Sequence, residues 1–210
     1  MRASARAAAT AGPAGAEAFD LRQITPQAWK NGCGLTREIA IGPRGAAAGQ
    51  FDWRISVAEV TRAAPFSLFP GVDRCIVLLA GGGLHLRSDA PGGPVDHRLD
   101  TPFEPFHFSG DEALAATPLS GPSSDLNVMT RRGLLRSDVR SLDAAASLHL
   151  EGAALLFCCA GHWRTDVAAA PTLAPQQGLL WRGGPAAVRV EPDDLSARLL
   201  FVRLCQHRAA

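Results

Sequence analysis

No apolar run in this chain is long enough to cross a bilayer, which removes a membrane-spanning helix from consideration. Charge of one sign is missing too: Lys and Arg total 21 and Asp and Glu total 20, a formal net charge of +1. Neither nucleic acid nor an anionic membrane surface finds a field to bind. The five cysteines, Cys33, Cys75, Cys158, Cys159 and Cys205, include no C-x-x-C pair and are odd in number. A disulfide framework and a zinc ribbon are both unexpected. All but Cys33 lie in apolar runs, where free cysteine behaves as a small buried hydrophobe, and this fits a reducing cytoplasm. Metal chemistry also lacks its ligands. A β-barrel metal site wants two His spaced H-x-H with a carboxylate and a third His further on. The six His stand at 85, 97, 107, 149, 162 and 207, and no two have that spacing. No metal and no cofactor are expected. The phosphate-loop pattern G-x-x-x-x-G-K-[ST] is absent as well.

Long helical periodicity is scarce, whereas Gly and Pro are plentiful at 21 and 15. The opening residues 1–18 carry no periodic apolar pattern and no continuous apolar core of a signal peptide, so a disordered N-terminal extension is expected there. From Phe19 onward, short apolar runs alternate with turns. FDWRISVAEV (51–60) places Phe51, Trp53, Ile55 and Val57 on one face and Asp52, Arg54, Ser56 and Ala58 on the other, as a strand does. Several such strands at short intervals argue for an all-β barrel or sandwich. An internal echo is present. Residues 77–89 resemble 156–167, residues 106–119 resemble 179–192, and DLNVMTRR (125–132) resembles RLLFVRL (198–204). Two copies of one small barrel follow, a first over 19–140 and a second over 141–210, linked near 133–147. SLDAAASL (141–148) reads as a short helix or as linker.

Polar residues on otherwise apolar strands are the candidates for chemistry. Arg54 beside Ser56, Arg74 after the turn FPGVD, and the face of Asp125, Asn127 and Arg131 can line a small wet cavity. A guanidinium there grips a carboxylate through two parallel hydrogen bonds. The competing reading pairs Arg54 with an acidic neighbour on a solvent face, where an ion pair contributes little. Cys33, between Gly32 and Gly34, has no local base to activate it, so a Gly-rich turn is the simpler account.

Four motifs share one further property. W-K-N-G-x-G-x-T-R-E-I-A (29–40), F-x-W-R-I-S-x-A-x-V (51–60), P-F-S-x-F-P-G-V-D-R (65–74) and D-L-N-V-M-x-R-R-G (125–133) occur in the order and spacing of the HutD/Ves family, which the chain resembles over residues 19–205. The resemblance implies a double-cupin (bicupin) fold and a link to bacterial histidine utilisation. It implies binding of a small carboxylate such as urocanate or formylglutamate, in a role that limits the pathway rather than catalysing a step. Carried over by position, the ligand-binding candidates are Lys30, Asn31, Thr36, Glu38, Arg54, Ser56, Arg74, Asn127 and Arg131. The family usually has glycine where this chain has Cys33, which argues further against a reactive thiol. Two other readings stay open. One is a metal-independent isomerase or hydrolase with Glu38 or Asp73 as base and Arg54 as clamp. The other is an interaction module whose apolar strand face builds a homodimer.

Overall fold

The computed structural model describes residues 15–46 and 49–207. The architecture is all-β, as expected; the only helical element among these residues is one 3-10 turn, Leu21–Gln23. No described helix is long and apolar enough to cross a membrane. Of the expected N-terminal extension, residues 1–14 lie outside the described residues, while Glu17–Asp20 is a strand.

Four sheets form two facing pairs. The first pair joins a six-stranded sheet, ordered Gln27–Ala28, Gly34–Gly42, Trp53–Val60, Ser123–Arg131, Val72–Gly81, Pro105–Ser109, to a four-stranded sheet, Ala64–Pro65, Leu114–Pro118, Leu84–Ser88, Asp96–Leu99. The second pair joins a five-stranded sheet, Glu17–Asp20, Gln177–Trp181, Ala154–Ala160, Arg198–Gln206, Leu135–Leu142, to a four-stranded sheet, Ala146–Glu151, Pro185–Pro192, Trp163–Thr165, Thr172–Leu173. Trp53–Val60 through Pro105–Ser109 runs in the same order of strands as Leu135–Leu142 through Gln177–Trp181. The two four-stranded sheets correspond strand for strand. The echo in the sequence is thus a repeat of topology.

The stretch expected to be linker or short helix is instead two strands. Leu135–Leu142 pairs along its length with Arg198–Gln206, and Ala146–Glu151 pairs with Pro185–Pro192. Small alanines carry no β preference of their own, and the partner strands impose the extended form. The expected boundary at 140/141 falls inside Leu135–Leu142. Glu17–Asp20 crosses over to the edge of the second unit's larger sheet, with Phe19 opposite Gly178.

Three apolar layers hold the sheets together. Within the first unit, Val60, Ile76, Leu78, Leu84, Leu86, Leu99 and Leu114 meet between its sheets. Within the second, Trp163, Trp181, Leu156, Leu179, Val190 and Phe201 do the same. Between the units, Trp53, Ile55, Val57, Val77, Leu126 and Val128 pack on Leu155, Phe157, Leu180, Leu200 and Val202. The apolar face of Trp53–Val60 is therefore covered within one chain, and its polar face looks into the first unit. Burial of these side chains from both large sheets welds the units face to face, at roughly 1.5–3 kcal/mol per large apolar residue.

Candidate functional site

The motif WKNGCG forms the turn of a short hairpin. Trp29 N–H donates to Gly34 O and Gly32 N–H to Trp29 O, both at 2.9 Å, and Asn31 Oδ1 accepts from Cys33 N–H at 3.0 Å. Gly32 has φ +66°, a left-handed conformation that glycine adopts without strain. Gly34 answers a second demand: a Cβ there would stand 2.4 Å from Glu59 O and 3.1 Å from the Trp29 ring. The turn presents Lys30 and Asn31 while Trp29 lies back, its Nε1 donating to Thr36 Oγ1 at 2.8 Å.

Below this turn the first unit holds a cavity of about 650 Å³ that opens to solvent. It gathers Lys30, Asn31, Thr36, Glu38, Arg54, Ser56, Arg74 and Asn127, eight of the nine residues named from sequence. Strand pairing explains the gathering. Glu38 lies opposite Ser56, Ser56 opposite Asn127, and Met129 opposite both Arg54 and Arg74, so alternate residues of four adjacent strands share one face. A bulge between Glu38 and Ala40 resets the alternation, so that Thr36, Glu38 and then Ile41 face the cavity while Ile39 and Ala40 pack between the units.

Arg131 does not join them. Its guanidinium donates to the carbonyls of Phe51 at 2.8 and 3.2 Å and of Gly49 at 3.0 Å, so it fastens a loop. Asp73, considered as a base, pairs with Arg132 at 2.7 Å outside the cavity. Four aromatic walls escaped the sequence reading as lining residues: Trp29, Phe51, Phe66 and Phe69. Phe66 and Phe69 sit in a loop, where no periodicity announces which way a side chain faces. Their place within a recognised motif was the available signal.

Among the described residues, three cations and one carboxylate line the cavity. Lys30 is exposed at the turn and forms no ion pair with any described residue. Arg54 Nε donates to Glu38 Oε2 at 2.7 Å, and its terminal nitrogens bond none of the described residues. Arg74 is the deep one, only 5% exposed. Its guanidinium carbon lies 4.9 Å from the ring centre of Phe66 and 4.8 Å from that of Phe108, a double cation–π seat. Its hydrogen bonds, to Asn127 Oδ1 and Ser67 O, are both 3.4 Å long, which leaves donor capacity for a ligand. Burial pulls Arg74 down to about 10, against the opposing charge of Asp125.

Asp125 lies beneath this floor. It is fully buried and neither carboxylate oxygen has a hydrogen-bond partner among the described residues. Burial pushes it up to about 7, with Arg74 pulling the other way. Sequence placed Asp125 and Asn127 on one face, but an orphaned carboxylate is legible only in three dimensions.

The donor set does not suit a metal ion. Among the described residues no His or Cys lines the cavity, and the one carboxylate that does, Glu38, is bonded to Arg54. Among the described residues no three His, Cys, Asp or Glu stand together in a way that could hold a metal.

Residues 21–197 match the family model described as HutD. Protein Ves of Citrobacter koseri is 36% identical over 186 residues, covering 88% of this chain and 92% of that protein. Among solved structures, a conserved protein of unknown function from Pseudomonas aeruginosa PAO1 superposes with a TM-score of 0.79 at 29% identity, over 90% of this chain and 98% of that one. HutD from Pseudomonas fluorescens SBW25, solved in a formate condition, gives a TM-score of 0.77 at 24% identity, over 92% and 100%. The neighbouring folds are cupin-like.

Proposed function

This chain belongs to the HutD family, and from that premise we propose that it is a double-cupin protein that binds a small carboxylate metabolite in the first unit and thereby limits histidine utilisation. Urocanate and N-formylglutamate are the proposed ligands. The observation that carries it is the convergence of Lys30, Arg54 and Arg74 on one cavity against the single carboxylate of Glu38. A cavity with surplus positive charge and aromatic walls selects a compact anion with a flat or apolar body. The second unit supports the division of labour: its interior is packed with Trp163, Trp181 and aliphatic side chains. The double-cupin assignment is supported by the repeated strand order.

Calorimetric titration with urocanate, N-formylglutamate and histidine tests the reading. Saturable binding of either carboxylate supports it, and no heat from any of the three up to millimolar concentration overturns it. Glu38, the cavity's own carboxylate, keeps a catalytic alternative within reach of the same samples. Consumption of a ligand on prolonged incubation, abolished by Glu38→Gln, would replace binding by turnover.

A further inference from the structure

At the deep end of the cavity stands a cation, Arg74, and buried behind the lining lies a carboxylate, Asp125, that does not hydrogen-bond it. Arg74 comes from Val72–Gly81 and Asp125 from the adjacent strand Ser123–Arg131, with Asn127 between them on the same face and bonded to Arg74 Nε. Both Asp125 oxygens remain without a hydrogen-bond partner among the described residues at zero exposure. A buried carboxylate of that kind resists ionisation unless a neighbouring charge compensates it. The compensating charge here is Arg74, and Arg74 is also the group that an incoming anion would reach.

Resting on the carboxylate-binding reading, we infer that Asp125 is a positioning residue that couples anion binding at Arg74 to the uptake of one proton. With Asp125 ionised, the Arg74–Asp125 pair is neutral and offers an anion little. With Asp125 protonated, the pair carries a full positive charge. An anion on Arg74 therefore favours the protonated acid, and a proton from solvent goes to an Asp125 oxygen as the ligand enters. The surroundings leave this linkage to Asp125. From the other strands of the sheet the charged groups facing the cavity are Arg54 and Glu38, which bond each other, and Arg74 itself; Lys30 stands at the exposed turn. The four-stranded sheet opposite turns Leu84, Leu86, Leu114 and Ala116 inward. No histidine among the described residues lines the cavity. Burial sets Asp125 at about 7, so the coupling operates in the physiological range.

N-formylglutamate is the suitable probe because it has no group of its own that titrates near neutrality. Its affinity for the wild-type chain should weaken about tenfold between pH 6 and pH 8, the response of one proton linked to a group near 7. At pH 8 the binding heat should differ between phosphate and Tris buffers in proportion to their ionisation heats, with uptake approaching one proton per ligand. At pH 5.5 that difference should vanish. Asp125→Asn should bind with less than a twofold change from pH 6 to pH 8. Equal wild-type affinity at the two pH values, or a dependence that persists in Asp125→Asn, overturns the coupling while leaving the binding site intact. The buffer comparison needs only wild-type protein, so the inference stands or falls even if the variant does not fold. No binding at any pH overturns both the coupling and the reading on which it rests.

Discussion

Arg54 and Glu38 meet inside the first unit, with Arg54 Nε donating to Glu38 Oε2 at 2.7 Å, although Arg54 stands opposite Ile41 and Glu38 opposite Ser56. The sequence raised two expectations for Arg54, a cavity residue or half of an ion pair on a solvent face; Arg54 lines the cavity, and its acidic partner lines the same cavity rather than a solvent face. A partly exposed pair of this kind adds on the order of 0–1 kcal/mol to stability, so its value lies in aiming the guanidinium. Arg54→Ala should weaken binding of urocanate or N-formylglutamate by about tenfold or more, the loss of one charge-assisted contact of roughly 1.5–3 kcal/mol. Glu38→Gln should act in the opposite direction by a few fold, because it frees Arg54 and removes the cavity's negative charge. Calorimetry on the two variants decides it; a loss of affinity in Glu38→Gln would mean that Glu38 receives a donor from the ligand.

Lys30 and Cys33 are three residues apart and differ in what they face. Lys30 lines the cavity, whereas Cys33 Sγ lies 3.5 Å from Asn31 O within the turn itself. Lys30→Ala should weaken anion binding two- to fivefold, with the effect shrinking as salt is raised, since an exposed charge is screened. Cys33→Gly should change affinity by less than twofold. Equal losses in the two variants would place the thiol in the binding surface and refute the assignment.

Much of this was legible in the chain, and the gaps have physical causes. Trp53–Val60 forms the strand expected, with both of its faces, because alternation is a local property. Phe51, expected on the face of Trp53, Ile55 and Val57, precedes the strand and packs with Val72 and Met129 at the cavity instead. Which face looks into the cavity was not legible. An amphipathic strand ordinarily turns its apolar side to its own core, and here Trp53, Ile55 and Val57 serve a second core between the units. Thr36 and Glu38 followed from the motif, but the bulge that aims them was invisible. Arg131 shares its strand parity with Asn127, and yet it leaves the face, since the strand's end reaches the carbonyls of Gly49 and Phe51. SLDAAASL lacked any pattern of its own and took its form from its partner strands.

Gly34 tests the opening motif as architecture. Alanine there would place a methyl 2.4 Å from Glu59 O, a backbone atom that cannot swing away, and 3.1 Å from the Trp29 ring. Gly34→Ala should cost roughly 1–3 kcal/mol by crowding the pairing of Gly34–Gly42 with Trp53–Val60. Because Trp29 lines the cavity, affinity should fall with stability. Denaturant unfolding beside Cys33→Gly gives the comparison; a Gly34→Ala chain as stable as wild type would show that the close approach is not maintained in solution.

The buried carboxylate makes a separate claim on folding. An ordinary aspartate ionises near 3.8, whereas Asp125 is pushed up to about 7 by burial. Between those values the native chain keeps a proton that the unfolded chain releases. Native protein then binds more protons, and stability falls as pH rises through that window, levelling off above it. The loss is at most roughly 4 kcal/mol, about three pH units at 1.36 kcal/mol each. Asp125→Asn abolishes this titration and preserves the shape of the side chain. The variant should be close to wild type near pH 4.5 and gain on it steadily up to pH 7.5. Urea unfolding of both proteins across that range isolates the effect, because every other titrating group cancels in the difference. A difference that stays flat with pH would mean that Asp125 is ionised in the native state throughout, with Arg74 fully compensating it.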